Sequence, residues 1–239
     1  MTGCGMDIET RIAGLDWPRI TAELDGFGAA PLGCLLSPAE CTKLAGLYQR
    51  EEGFRSRVIM ARHGFGRGEY KYFAALPPLV AGLRAALYPR LAPVADGWNQ
   101  WLGEARRFPP ELAGFTAECH AAGQAKPTPL LLRYGPGDYN CLHQDLYGPL
   151  VFPLQVAILL SEPGRDFSGG EFVLTEQRPR MQSRAEVVPL RQGEAVAFAV
   201  HHRPVQGSRG TYRVMLRHGV SRIRDGERFT LGVIFHDAA

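Results

Sequence analysis

The feature that most constrains the fold is a change of texture at Pro129. Beyond it the chain is written in short apolar and β-branched runs, at residues 130–134, 152–160, 171–175, 195–200, 213–218 and 229–235. Turn formers separate them: Gly135-Pro136-Gly137-Asp138, Glu162-Pro163-Gly164, Ser168-Gly169-Gly170, Gln192-Gly193 and Asp225-Gly226. Many short strands with frequent turns predict a sandwich or a barrel. The first half reads as mainly helical. Ser37-Pro38-Ala39-Glu40 is a capping box with proline at the first helical position, which predicts a helix to about Gln49. Residues 79–88, 94–102 and 111–122 have helical apolar spacing and are separated by proline-containing breaks. No linker divides the chain. The expectation is one domain over residues 1–239, of α+β class with a mainly β core at 129–239 and the helices of 1–128 packed outside it.

No apolar run approaches the ~20 residues of a membrane helix. The longest, residues 149–160, is interrupted by Gln155. The opening residues lack a basic stretch followed by an apolar one, so no secretory signal is visible. The five cysteines, Cys4, Cys34, Cys41, Cys119 and Cys141, are odd in number and form no CxxC pair, which argues for a reducing cytoplasm and against a disulfide framework. Cys141 reads as a small buried apolar residue. The net charge is only +3, but Arg178 to Arg228 holds eleven arginines against four acids. Such a stretch reads either as a basic face for a polyanion or as the arginine usage of a chain with only three lysines. Residues 62–73, RHGFGRGEYKYF, are glycine-rich, basic and aromatic, and read as a substrate-contacting loop that turns into a strand.

The chemistry centres on His143-Gln144-Asp145. In a strand, residues two apart point the same way, so an imidazole and a carboxylate converge as two ligands of a 2-His-1-carboxylate triad. Alone, the pair is equally a surface His and Asp. Four histidines follow: His201, His202, His218 and His236. His218 ends a β run and opens His218-Gly219-Val220, which makes it the candidate third ligand. His201 and His202 precede a turn-like segment and read as loop residues, and His236 as the finish of the last strand. His63 and His120 read as structural or surface residues. Arg228 and Thr230 share a strand face, where a guanidinium and a hydroxyl clamp the far carboxylate of a dicarboxylic keto acid. Tyr134 and Tyr139 are placed either to reach such a ligand with a phenol or to pack the barrel.

The pattern resembles the iron(II)- and 2-oxoglutarate-dependent dioxygenases. Tyr134-Gly135-Pro136-Gly137-Asp138-Tyr139 leading to His143-Gln144-Asp145 is similar to the run before the HxD in prolyl-hydroxylase-like members. Ser168-Gly169-Gly170-Glu171-Phe172 resembles their GGE strand, and residues 193–198 their glycine turn and apolar strand. His218-Gly219-Val220 followed by Arg228 and Thr230 resembles their distal His and Arg-x-Ser/Thr. The whole chain resembles a bacterial group catalogued as acting on alkylated DNA. Six residues after Arg228, where AlkB-like repair enzymes carry a further arginine, stands Ile234, and their base-flipping hairpin is not recognisable.

The resemblance implies a double-stranded β-helix, or jelly roll. It implies Fe(II) held by His143, Asp145 and His218, and 2-oxoglutarate chelating the iron with its C5 carboxylate on Arg228 and Thr230. With O2 the products are succinate, CO2 and a hydroxylated substrate. Three functions compete: DNA repair by oxidative demethylation of single-stranded or damaged nucleic acid, hydroxylation of a protein (prolyl-type) or small molecule, and metal binding without turnover in a cupin-like module.

Overall fold

The computed structural model describes residues 6–208 and 210–239. Its helices are α1 (Ile8–Ala13), α2 (Trp17–Phe27), α3 (Pro38–Leu47), α4 (Pro78–Trp101) and α5 (Leu112–Ala121). Its strands are β1 (Ala29–Cys34), β2 (Phe54–Ile59), β3 (Gly66–Arg67), β4 (Glu69–Phe73), β5 (Leu130–Tyr134), β6 (Tyr139–His143), β7 (Leu154–Leu159), β8 (Phe167–Gly169), β9 (Phe172–Gln177), β10 (Arg184–Val188), β11 (Glu194–Ala199), β12 (His202–Gly207), β13 (Gly210–Val220), β14 (Ile223–Gly226) and β15 (Arg228–Val233).

The larger sheet runs β1-β11-β7-β15-β5-β4-β2, and the smaller runs β10-β9-β13-β6-β3 with β12 also on β13. All pairings between these strands are antiparallel. This is the double-stranded β-helix, with the helices packed on it. β7 lies in the interior of the larger sheet, between β11 and β15, and is buried along its whole length, which explains its near-continuous apolar sequence.

One expectation needs extension and one correction. Besides its helices, the first half does not leave the larger sheet to the second, for it supplies β1, β2 and β4. Residues 54–59 and 69–73 carry the β-branched and aromatic content that fits a half-buried pleated surface. The breaks expected around residues 89–93 do not occur either, because α4 runs unbroken through Pro89 and Pro93. Both prolines are exposed, so the carbonyls that lose a donor face water. The apolar stripe from Val80 through Leu83, Leu87, Leu91, Val94 and Trp98 stays buried and holds the helix together despite the cost of proline. The capping box forms as expected, Ser37 and Glu40 exchanging side-chain-to-backbone hydrogen bonds.

α4 is tied to the end of the chain by buried Arg84. Its guanidinium donates to the Ile234 and Phe235 carbonyls at 2.9 and 2.7 Å and to Asp237 Oδ1 at 2.7 Å. His236, expected to finish the last strand, lies beyond β15; it is fully buried, and its Nδ1 accepts from the Phe152 amide at 3.3 Å. Burial lowers its pKa to about 4, so it is neutral in the fold.

Candidate active site

A cavity of about 200 Å3 opens between the two sheets. His143, Asp145 and His218 stand on its wall, with one ligand atom from each all within 4.8 Å of one another. His143 Nε2 lies 3.5 Å from Asp145 Oδ1, and His218 Nε2 lies 3.4 Å from Asp145 Oδ2. His143 and His218 are directly paired across β6 and β13, and their ring centroids are 4.2 Å apart.

Asp145 is not on the strand that the i, i+2 argument assumed. β6 ends at His143, and the carboxylate arrives from the loop that follows. Four hydrogen bonds do what the strand does not. Gln144 donates to the Leu216 and His201 carbonyls at 2.8 and 3.2 Å, fixing the loop to β13. Tyr147 donates its hydroxyl to Asp145 Oδ1 at 2.7 Å, and Gln155 Nε2 donates to Oδ2 at 2.8 Å. Burial pushes the Asp145 carboxyl up, but the two histidines hold it well below the ordinary range. Burial and the neighbouring His143 lower the His218 pKa. For His143 burial is opposed by Asp145, and the net direction is upward.

Arg228 and Thr230 are on regular β15 and both face the same cavity. Arg228 is 2% exposed. Its guanidinium donates to the Thr230 hydroxyl at 2.5 Å and lies 5.7 Å from the Tyr134 ring centroid and 5.9 Å from that of Phe167. Burial lowers its pKa to about 10, which leaves it charged at neutral pH. Among the described residues no carboxylate forms an ion pair with it, and its Nε has no partner. A buried charge left so is costly. The Gly-Gly turn makes room for it. At Gly170 (φ +66°) a Cβ would lie 2.9 Å from Arg228 Cδ and 2.2 Å from Ile223 Cδ1.

Tyr134 is buried beside Arg228 with an unpartnered hydroxyl, and burial raises its pKa. Tyr139 does not reach the cavity. β6 advances three residues, His143 to Asn140, while β13 advances two, His218 to Val220. This bulge turns both Asn140 and His143 inward and leaves Tyr139 on the outside, 39% exposed. Cys141 is likewise exposed rather than buried, because only the two-residue β3 covers β6 on that side. Tyr70, Tyr147 and Gln155 line the cavity and were not singled out for it by the sequence motifs. The available signal was Gln155, a carboxamide inside an otherwise apolar strand.

His201 and His202 meet edge to face with Nδ1 atoms 2.7 Å apart and lie outside the cavity lining. His120 is bound to Asp237 at 2.9 Å. The basic stretch is not one face. Arg203 is buried against Glu176, which also takes Arg178, and Arg213 pairs with Glu104. Arg209 lies outside the described residues.

The donor set fits a divalent iron: two imidazole nitrogens and one carboxylate oxygen on one side, with open cavity opposite. The unpaired, buried Arg228 in the wall of the same cavity fits a ligand with a distal carboxylate.

Comparisons agree with this geometry. A family profile described as Oxygenase-NA, "Oxygenase, catalysing oxidative methylation of damaged DNA", matches residues 68–238. Two proteins of Mycobacterium tuberculosis, both described as uncharacterized, are 52% identical over 164 residues, covering 69% of this chain and 70% of theirs. A Pseudomonas putida prolyl-4-hydroxylase structure superposes with TM-score 0.52 at 15% identity, covering 93% of this chain and 100% of that one. A Trichoplax adhaerens prolyl hydroxylase, in complex with a peptide fragment of the hypoxia inducible factor oxygen degradation domain, gives TM-score 0.58 at 14% identity, covering 96% and 92%. At such identities these two structures show the fold alone.

Proposed function

The chain belongs to the Oxygenase-NA family of the iron(II)- and 2-oxoglutarate-dependent dioxygenases, and we propose that it hydroxylates a C–H bond of alkylated nucleic acid at the cavity between its two sheets. The observation that carries the reading is the pairing of a His-Asp-His set with a buried arginine that, among the described residues, has no anion of its own, both on one cavity.

In this reading His143, Asp145 and His218 hold Fe(II), and Arg228 pairs with the C5 carboxylate of 2-oxoglutarate, with Thr230 adding a hydrogen bond. Tyr134, the buried phenol beside Arg228, is the tyrosine that completes this carboxylate site. Iron with 2-oxoglutarate and O2 supplies the oxidation of the substrate C–H bond, releasing succinate and CO2. The protein's part is to bind, orient and keep water out. Leu132, Val156, Phe172 and Phe198 make the wall apolar, so charge pairing inside it is strong. Tyr147 and Gln155 keep the Asp145 carboxylate turned toward the two histidines. On an N-methyl base, hydroxylation gives a hemiaminal that loses formaldehyde.

The helical and β parts act as a single domain over residues 1–239; support comes from β1, β2 and β4 joining the larger sheet and from the Arg84–Asp237 ion pair. Cys119 and Cys141 are free thiols, in keeping with work in the cytoplasm. Among the described residues no helix is long and apolar enough to cross a membrane.

A second reading, hydroxylation of a protein or small molecule, is favoured by the largely apolar cavity wall. The two are separated by measuring succinate and formaldehyde on methylated and unmethylated single-stranded oligonucleotides. Formaldehyde equal to succinate, on the methylated strand only, is the expected result. Equal slow succinate on both strands, with no formaldehyde, contradicts the nucleic-acid reading and leaves the oxygenase.

A further inference from the structure

Phe65 is 46% exposed and yet lines the cavity that carries the His-Asp-His set. An aromatic ring at once on the surface and in the wall of a site occupies its mouth. His63 stacks on it, with centroids 5.3 Å apart and planes at 22°. The ring sits on a loop that is fixed in advance. The His63 and Phe65 amides both donate to the Met60 carbonyl, at 3.0 and 3.2 Å, and the Phe65 carbonyl accepts from the Cys141 amide at 2.9 Å. Gly66 (φ +120°) lets the loop close on β6, for a Cβ there would lie 2.5 Å from the Tyr139 carbonyl oxygen. The platform is therefore anchored to the strand that bears His143 and loses little freedom when something stacks on it.

The charge around the ring is specific. Arg57 and Arg133, nearby on β2 and β5, are taken up by Glu69 and Glu227. Arg62 and Arg67, three residues before Phe65 and two after it, are exposed, and among the described residues neither is in an ion pair. Residues 60–68 contain no acid. A flat apolar ring flanked by two uncommitted guanidinium groups matches a flat ring whose own chain carries anions on both sides. We propose that Phe65, backed by His63, is the stacking platform for a base of single-stranded nucleic acid at the cavity mouth, with Arg62 and Arg67 taking the flanking phosphates. This rests on the nucleic-acid reading above. A peptide side chain or a prolyl ring also has an apolar surface to offer Phe65, but it gains nothing from the two arginines.

The test is fluorescence anisotropy of a short labelled single-stranded oligonucleotide carrying one N-methylated base, with Mn(II) in place of iron so that no turnover enters. Base stacking on an aromatic is strong enough that Phe65→Leu, which keeps the apolar bulk and removes the π-face, raises Kd about tenfold or more. Phe65→Trp keeps wild-type affinity. Arg62→Ala and Arg67→Ala each lower the slope of log Kd against log salt by roughly 0.7. Trp101→Ala, at an aromatic 44% exposed and outside the cavity lining, changes neither quantity. Wild-type affinity in Phe65→Leu, or no binding by the wild-type chain, overturns the inference. So does an unchanged salt slope in both arginine variants. These outcomes are independent of succinate formation. Iron-dependent succinate without the expected binding pattern removes this site and keeps the oxygenase, whereas the binding pattern without succinate removes the reaction and keeps the site.

Discussion

Arg228 and Thr230 stand two residues apart on a regular strand, both buried and both turned into the cavity by ordinary β alternation. His143, Asp145 and His218 come from the end of a bulged strand, from a loop and from a strand of the smaller sheet. The anion end is thus built by the backbone. The metal end is built by side chains holding side chains, Tyr147 and Gln155 on Asp145 and Gln144 on β13. A site held by strand geometry tolerates loss of its neighbours. A site held by individual hydrogen bonds loses part of its geometry with each of them.

The sharpest way to break the comparison is to remove a ligand. His143→Ala, Asp145→Ala or His218→Ala is expected to lower 2-oxoglutarate turnover by about 10³-fold or more, since nothing else in the cavity replaces an imidazole or carboxylate there. Turnover near wild type in any of the three reassigns the metal end. At the other end, Arg228→Met is expected to raise the KM for 2-oxoglutarate by roughly 100-fold, from the loss of a buried charge-assisted pair. Arg228→Lys restores little, because a point charge does not reproduce the planar fork. Initial rates against 2-oxoglutarate concentration measure both.

Gln155→Leu and Tyr147→Phe test whether positioning matters at the metal end. Each is expected to weaken Mn(II) or Co(II) binding by about 10-fold, the lower range for groups that orient a ligand, while thermal unfolding of the metal-free chain shows each variant folded. Thr230→Ala, the neighbour at the strand-built end, leaves metal affinity unchanged. Equal effects from all three variants erase the distinction between the two ends.

The smallest effect is one of pH. His236 has a pKa of about 4 in the fold against an ordinary 6.5, so the unfolded chain binds the proton first as pH falls. Stability is therefore lost between about pH 6.5 and 4, by roughly 3 kcal/mol if the whole shift is realised. Denaturation midpoints across that window check it, and His236→Gln flattens the dependence.

Much of this was legible in the sequence because it follows from period-two alternation and turn chemistry. Arg228 with Thr230, the Gly-Gly turn and the strand texture after Pro129 are local patterns. The spacing of His143 from Asp145 pointed to two side chains that do meet, but through the wrong geometry, since the carboxylate leaves the strand. The bulge that excludes Tyr139 was not readable, because it depends on how β13 registers against β6. Gln155 was visible as a break in an apolar run, but its role needs Asp145, ten residues away, to fold over it. The unbroken α4 was missed because the rule against internal proline carries no information about which face meets water.

The most direct test of the central claim, one cavity with a metal end and an anion end, is calorimetric titration of 2-oxoglutarate into the anaerobic protein with and without Mn(II). The account predicts metal-dependent binding in the wild type, weakened by Arg228→Met and abolished in its metal dependence by Asp145→Ala. Binding of equal strength with and without metal, or binding indifferent to Arg228, contradicts it.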